Sequence, residues 1–155
     1  MERKFIQRAI ELARYGMDKN EGGPFGCVIV KNGNIIAEGN NRVISKNDPT
    51  AHAEIVAIRK ACKELGSFQL TGCEIYTSCE PCPMCLGAIY WARPSRIYYA
   101  ATREDAAKAG FDDEFIYKEI VIPPGDRKIP MKQLERSSAK NLFSEWIKKD
   151  NKTSY

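Results

Sequence analysis

Long apolar runs, charge of one dominant sign and internal repetition are all missing from this 155-residue chain. No segment approaches the roughly 18 consecutive apolar residues of a membrane-spanning helix, so no membrane partner is expected. The opening Met-Glu-Arg-Lys-Phe lacks the apolar stretch of a secretion signal, and a cytoplasmic location is expected. The 24 Lys and Arg exceed the 20 Asp and Glu only slightly, and the net +4 is spread along the chain. No Lys/Arg stripe emerges that would track a phosphate backbone, so no nucleic-acid partner is expected. Lys148, Lys149 and Lys152, interrupted by Asp150, read as a solvated helix end. Without linker or low-complexity tract, residues 1–155 are expected to form a single domain large enough to bury its own core.

Cysteine is present in quantity, and histidine occurs once. Without a secretion signal, six cysteines read as reduced thiols and metal ligands instead of a disulfide framework. Cys27, Cys62 and Cys73 lie in apolar runs and read as small core residues. Two short segments carry the chemistry: His52-Ala53-Glu54 and Pro81-Cys82-Pro83-Met84-Cys85. His52, Cys82 and Cys85 form a nitrogen and sulfur donor set suited to Zn²⁺, one ion per subunit. Three protein ligands leave the fourth tetrahedral position to water, as catalytic zinc requires, and Glu54 remains available to move protons. A helix beginning at Cys82 would place both thiols in its first turn, where the helix N-terminus and a dication favour thiolates. His52 and Glu54, two apart, can converge only at the start of a second helix, so two helix N-termini are expected to meet across one metal. A competing arrangement adds Cys79 to give a closed Cys₃His structural site, the signature of a binding or assembly module without turnover. That alternative leaves Glu54 without a role.

Apolar spacing predicts an amphipathic helix over 5–17. Asn32-Gly33 between two β-rich runs predicts a hairpin with strands at 27–30 and 35–37. A loop over 40–49 leads into the His52 helix, which is expected to end at Gly66. Further on come a strand over 73–78, the Cys82 helix, a strand over 96–101, helical pieces at 105–110 and 113–120, and a terminal amphipathic helix over 138–149. This alternation predicts an α/β fold, a three-layer α/β/α sandwich with a mixed sheet. Tyr90-Trp91 and Tyr98-Tyr99 read equally as core or as a subunit interface.

The pair His-x-Glu and Pro-Cys-x-x-Cys is the signature of zinc-dependent nucleobase deaminases. Beyond it, the chain resembles the bacterial guanine deaminases of the cytidine deaminase superfamily through Gly22-Gly-Pro-Phe-Gly26, the segment 47–54, the segment 77–94 and the segment 109–119. The resemblance implies a cytidine deaminase-like fold with a five-stranded sheet and hydrolytic release of ammonia from guanine, a step of purine metabolism. Glu54 would carry protons from water to a ring nitrogen and to the departing amine. It implies that Asn41 and Asp113 hydrogen-bond the purine and that Phe25 packs on it. Tyr155 is implied to enter a site, that of the partner in a homodimer, by exchange of the C-terminal helix over 138–150. On residue type alone Asn41 reads as well as a loop cap, Asp113 as a helix cap, Phe25 as core and Tyr155 as a frayed end. Within the superfamily the rival is a tRNA adenosine deaminase, which carries a similar motif pair but needs a basic groove.

Overall fold

The computed structural model describes residues 2–155, which divide into two compact units between Asp113 and Glu114. The first unit is built on helix α1 (Glu2–Asp18), the hairpin β1 (Gly26–Lys31) and β2 (Asn34–Asn40), and helix α3 (Ala53–Leu65). It continues with β3 (Cys73–Cys79), α4 (Pro83–Ala92), β4 (Arg96–Ala101) and α5 (Arg103–Lys108). The sheet runs in the order β2-β1-β3-β4. β1 is antiparallel to both neighbours and only the β3/β4 pair is parallel, so the sheet is mixed.

The expected hairpin turn is present: Asn32 and Gly33 both take positive φ, 50° and 75°, the geometry that matches strand twist in a two-residue loop. Alternation along β1 then assigns its faces. Val28 and Val30 pack with Phe5, Ala9 and Tyr76 beneath α1. Cys27 and Ile29 pack with Ala53, Ala57, Ala61 and Ile89 beneath α3 and α4. The layers are therefore α1, sheet, and α3 with α4, as patterning predicts. Tyr76 joins the α1 layer to the β4 edge, 5.0 Å from the Phe5 ring and stacked at 4.6 Å on Tyr98.

Two glycines let the helices sit directly on the strands. A Cβ on Gly26 would collide with the Ala9 carbonyl of α1 and lie 2.7 Å from Ala13 N. A Cβ on Gly39 of β2 would collide with the Ala53 carbonyl and lie 2.8 Å from Ala57 N, in the first turns of α3. Gly39 thereby sets the depth at which the His52 helix begins.

Four strands are found among the described residues, against the expected five. After β4, a reciprocal cap in which Thr102 and Asp105 bond each other's backbone N–H turns the chain into α5. The stretch over 121–135 contains Pro123, Pro124 and Pro130, which cannot donate to a ladder, and it forms no strand. β4 is left as a sheet edge. The expected loop over 40–49 also differs: β2 runs on to Asn40, and a short helix α2 (Val43–Lys46) follows, closed by Asn47 in the left-handed region. Tyr90, Trp91 and Tyr99 are exposed, so core packing does not explain them.

The second unit comprises α6 (Glu114–Ile120), a 3₁₀ turn (Pro124–Asp126) and α7 (Arg136–Lys148). The Lys128 N–H donates to the Glu119 carboxylate at 2.7 Å, and Arg127 Nε donates to the Ile122 carbonyl at 3.2 Å. No residue of α7 is buried, and its Leu142, Phe143, Trp146 and Ile147 face outward. Among the described residues no helix is long and apolar enough to cross a membrane.

Gly39→Ala is expected to lower stability by about 1–3 kcal/mol, the usual cost of overpacking a closed helix–strand contact. Thermal unfolding of the zinc-loaded protein measures it, and a native midpoint would show that α3 does not depend on this close approach.

Candidate metal centre and substrate pocket

His52 and Cys82 are the N-cap residues of α3 and α4, and both hold the extended conformation of that position, with ψ of 156° and 167°. An N-cap side chain points back over the open end of its own helix, so two packed helices that start side by side aim their caps at one another. Pro83 at the start of α4 fits because its missing N–H would have no helical partner there. Cys85 lies in the first turn of α4 and is buried. Glu54 lies in the first turn of α3 and is also buried. The expected meeting of two helix N-termini is what the structure holds, with His52 one step earlier than a first-turn position.

The sulfurs of Cys82 and Cys85 each lie 3.6 Å from His52 Nδ1, and the three donor atoms all fall within 4.8 Å of one another. Tetrahedral zinc with arms of about 2.1 Å to nitrogen and about 2.3 Å to sulfur separates such donors by about 3.6 Å. The donor set therefore fits zinc in both chemistry and spacing. Cys79 stands apart: its thiol donates to the Thr102 carbonyl at 3.5 Å, and burial pushes it up to about 11. It is not one of the clustered donors; the set has three members among the described residues and would leave a tetrahedral metal one open position.

The charges around the centre favour a cation. A hydrogen bond from the Cys85 thiol pulls Cys82 down to about 4, with further help from His52. Cys85 is pushed well up by that same bond and by burial, so the two thiols share one proton. His52 is raised, first by its hydrogen bond with Cys82. Burial raises the Glu54 carboxyl, and the Cys82 charge adds to the shift. A dication deprotonates both thiols and relieves this crowding of negative groups.

Three of the four expected substrate residues lie in the first unit. Asn41, 5% exposed, follows β2; its Oδ1 accepts the Val43 N–H at 3.1 Å and its own N–H donates to the Phe25 carbonyl at 3.0 Å. Phe25 is half-buried, with its ring edge-on to Phe111 at 4.9 Å. Asp113 is partly buried, and its carboxyl is raised first by that burial and next by the Cys82 thiolate. Asp113 thus stands within electrostatic reach of the centre. Tyr155 belongs to the second unit and is exposed. Reading single residues missed Gly22, whose missing side chain leaves the space occupied by the Asn41 Oδ1. Its signal was the Gly-Gly pair before Pro24.

Cys82→Ser and Cys85→Ser are each expected to abolish retention of zinc through gel filtration, whereas Cys79→Ser keeps one ion per chain by elemental analysis. Loss of zinc from Cys79→Ser would mean that this thiol is a ligand. In protein stripped by chelator, iodoacetamide at pH about 6 is expected to alkylate Cys82 first, because the thiolate is the nucleophile. Peptide mapping would expose any other order.

Residues 1–101 match the family described as the cytidine and deoxycytidylate deaminase zinc-binding region. Across 151 residues the chain is 59% identical to guanine deaminase of Bacillus subtilis (strain 168), covering 97% of each protein. The X-ray structure of guanine deaminase from Bacillus subtilis superposes with a TM-score of 0.96 at 58% identity, covering 99% of this chain and 98% of that one. A tRNA-specific adenosine deaminase of Aquifex aeolicus (strain VF5) is 34% identical over 145 residues, 94% of this chain and 93% of the relative. A matching family profile, near-complete coverage and the zinc-fitting triad agree: the chain belongs to the zinc-dependent cytidine and deoxycytidylate deaminase family.

Proposed function

We propose that this protein hydrolyses guanine to xanthine and ammonia. The observation that carries the reading is a buried, non-ligating carboxyl, Glu54, two residues from the ligand His52 in a three-donor zinc set. Identity of 59% to a guanine deaminase along nearly the whole chain supports the choice of purine. His52, Cys82 and Cys85 would hold the zinc, which when bound would lower the pKa of water to about 7 and make hydroxide available at neutral pH. Glu54 accepts a proton from the water and delivers it to the ring nitrogen beside the carbon that bears the amino group. The carbon becomes electrophilic, and the same carboxyl then protonates the departing amine. Burial raises Glu54, which suits a group that must hold a proton as well as release it. The balance is guanine plus water giving xanthine plus ammonia.

Asp113 accepts the N1–H of guanine, where adenine would present a lone pair and be repelled. The Asn41 amide, held at its Oδ1 by the Val43 N–H, turns its NH₂ toward purine acceptors. Phe25, braced by Phe111, packs on the ring. The enzyme works as a homodimer in which the segment over 138–150 is exchanged between subunits, so that Tyr155 reaches the partner's site. The outward apolar face of α7 supports this arrangement, since such a surface is normally covered. Free thiols at all six cysteines accord with a cytoplasmic enzyme.

Ammonia release from guanine, adenine, cytosine, cytidine and an adenosine-bearing tRNA, measured in parallel, is expected to favour guanine; preference for the tRNA would identify the alternative activity. Glu54→Gln is expected to keep zinc and lose about 10²–10⁴-fold in kcat, the range for a general acid–base group. Near-native turnover in that variant would remove Glu54 from proton transfer. Deleting the last six residues should spare zinc and damage catalysis, while sedimentation reports the dimer; full activity would dismiss Tyr155.

A further inference from the structure

Asn40 is a buried polar residue for which the chemistry above has no use; it is 4% exposed. Its Nδ2 carries two hydrogens, and both are spoken for: one goes to the Glu21 carboxylate at 2.6 Å and the other to the Asn41 carbonyl at 3.2 Å. Its Oδ1 accepts from Arg42 Nε at 3.5 Å, and that guanidinium also lies 3.7 Å from the Glu21 carboxylate. The Glu21 main chain extends the same connection. Its carbonyl accepts from Ile44 N at 3.1 Å and Ser45 N at 3.0 Å, and its N–H donates to the Gly16 carbonyl of α1 at 2.9 Å. Space has been cleared on both sides. A Cβ on Gly16 would strike the Asn40 amide, and a Cβ on Gly22 would lie 2.8 Å from the Asn41 carbonyl oxygen and nearer still to its Oδ1.

We infer that Glu21 is a positioning residue for the substrate-binding Asn41, acting through the Asn40 amide. The inference rests on the guanine reading above and adds to it a residue that touches no substrate. The physical argument concerns the orientation of one amide. With the Glu21 carboxylate in place, the Asn40 NH₂ must face Glu21 and the Asn41 carbonyl, because the opposite flip would set oxygen against two acceptors. Removing the carboxylate takes away the shorter of the two acceptor contacts that hold this orientation, so the amide that braces the Asn41 carbonyl is left with one long donor bond and one long acceptor bond and is held less tightly. The backbone that carries Asn41 then loses its register with the Phe25 carbonyl, to which it is bonded at 3.0 Å. Glu21 is distant in sequence from the His52 and Cys82 segments, and every contact of this network lies outside the metal ligands.

The zinc-loaded protein tests the inference with Glu21→Ala, Glu21→Gln, Asn41→Ala, the double variant E21A/N41A and Gly22→Ala. In Glu21→Ala, KM for guanine is expected to rise about tenfold or more while kcat stays within about threefold and zinc remains at one per chain, the signature of a lost binding contact. Gln at 21 keeps an oxygen for Asn40 and is expected to restore most of the native KM. Adding Glu21→Ala to Asn41→Ala is expected to change KM little further, because the one acts through the other. Gly22→Ala pushes on Asn41 from the other side and is expected to raise KM in the same way, a second route should Glu21→Ala fold poorly. A native KM in Glu21→Ala, additive effects in the double variant, or zinc loss in step with KM would overturn the inference. If Asn41→Ala itself has a native KM, or the native enzyme releases no ammonia from guanine, the substrate assignment falls first and takes the inference with it. A raised KM in Asn41→Ala beside a native one in Glu21→Ala refutes the inference alone.

Discussion

The structure turns on the convergence of two helix N-termini. A helix start presents unpaired N–H groups and a partial positive charge, which is where an anionic ligand atom is best tolerated. Here two such ends are packed side by side, α3 contributing His52 and α4 contributing Cys82 and Cys85. A donor triad in which both sulfurs lie 3.6 Å from one ring nitrogen requires the helix axes to hold their relative depth to a fraction of an ångström. The sheet supplies that rigidity. Gly39 lets α3 rest directly on β2, and Ile89 and Ala92 of α4 enter the same cluster as Ala53 and Ala57 of α3.

Electrostatics at this point are arranged to be incomplete without a cation. Two thiols share a proton, and beside them sits a buried carboxyl whose pKa is raised because burial disfavours its charged form. Burying like-signed groups together is costly, and proteins tolerate it where a counter-charge arrives on binding. The same crowding separates roles among chemically similar groups. Cys79, two residues before Pro81, spends its thiol on a carbonyl and is held protonated by burial, whereas Cys82 is ionised at the start of a helix. Glu54, two residues past the His52 cap, is not one of the clustered donors.

Beside the hairpin, two segments meet where β1 begins and β2 ends. Residues 21–26 and 40–45 face each other and are joined by backbone hydrogen bonds, one polar amide and an ion pair. Such loops are where recognition is usually tuned, because they can change without disturbing the core. Here Glu21, Asn40 and Arg42 form a polar cluster that ties the two segments together.

Much of this could be read from residues in order. Periodicity and punctuation located α1, the Asn-Gly hairpin, both ligand helices, β3 and β4, because each signal is local: an apolar stripe, a turn needing positive φ, Pro83 at a helix start, Gly66 at a helix end. Ligand identity was legible because zinc demands particular donor atoms whatever the fold. The helical piece over 113–120 was legible too, and the expected fifth strand, which no segment of the sequence marked, is not formed: the sheet has four strands among the described residues. Helix α2 was hidden, because a four-residue helix has no period to detect; its first N–H, that of Val43, is bonded by the Asn41 side chain. The sequence by itself determined the donor set, the non-ligating carboxyl beside it and the layered α/β order. Only the tertiary structure decided that Cys79 stands outside the centre, that glycines 22 and 39 are spaces reserved for a side chain and a helix, and that Asn40 connects Glu21 to Asn41. Those are distances between segments far apart in the chain, and packing in three dimensions, not local preference, sets them.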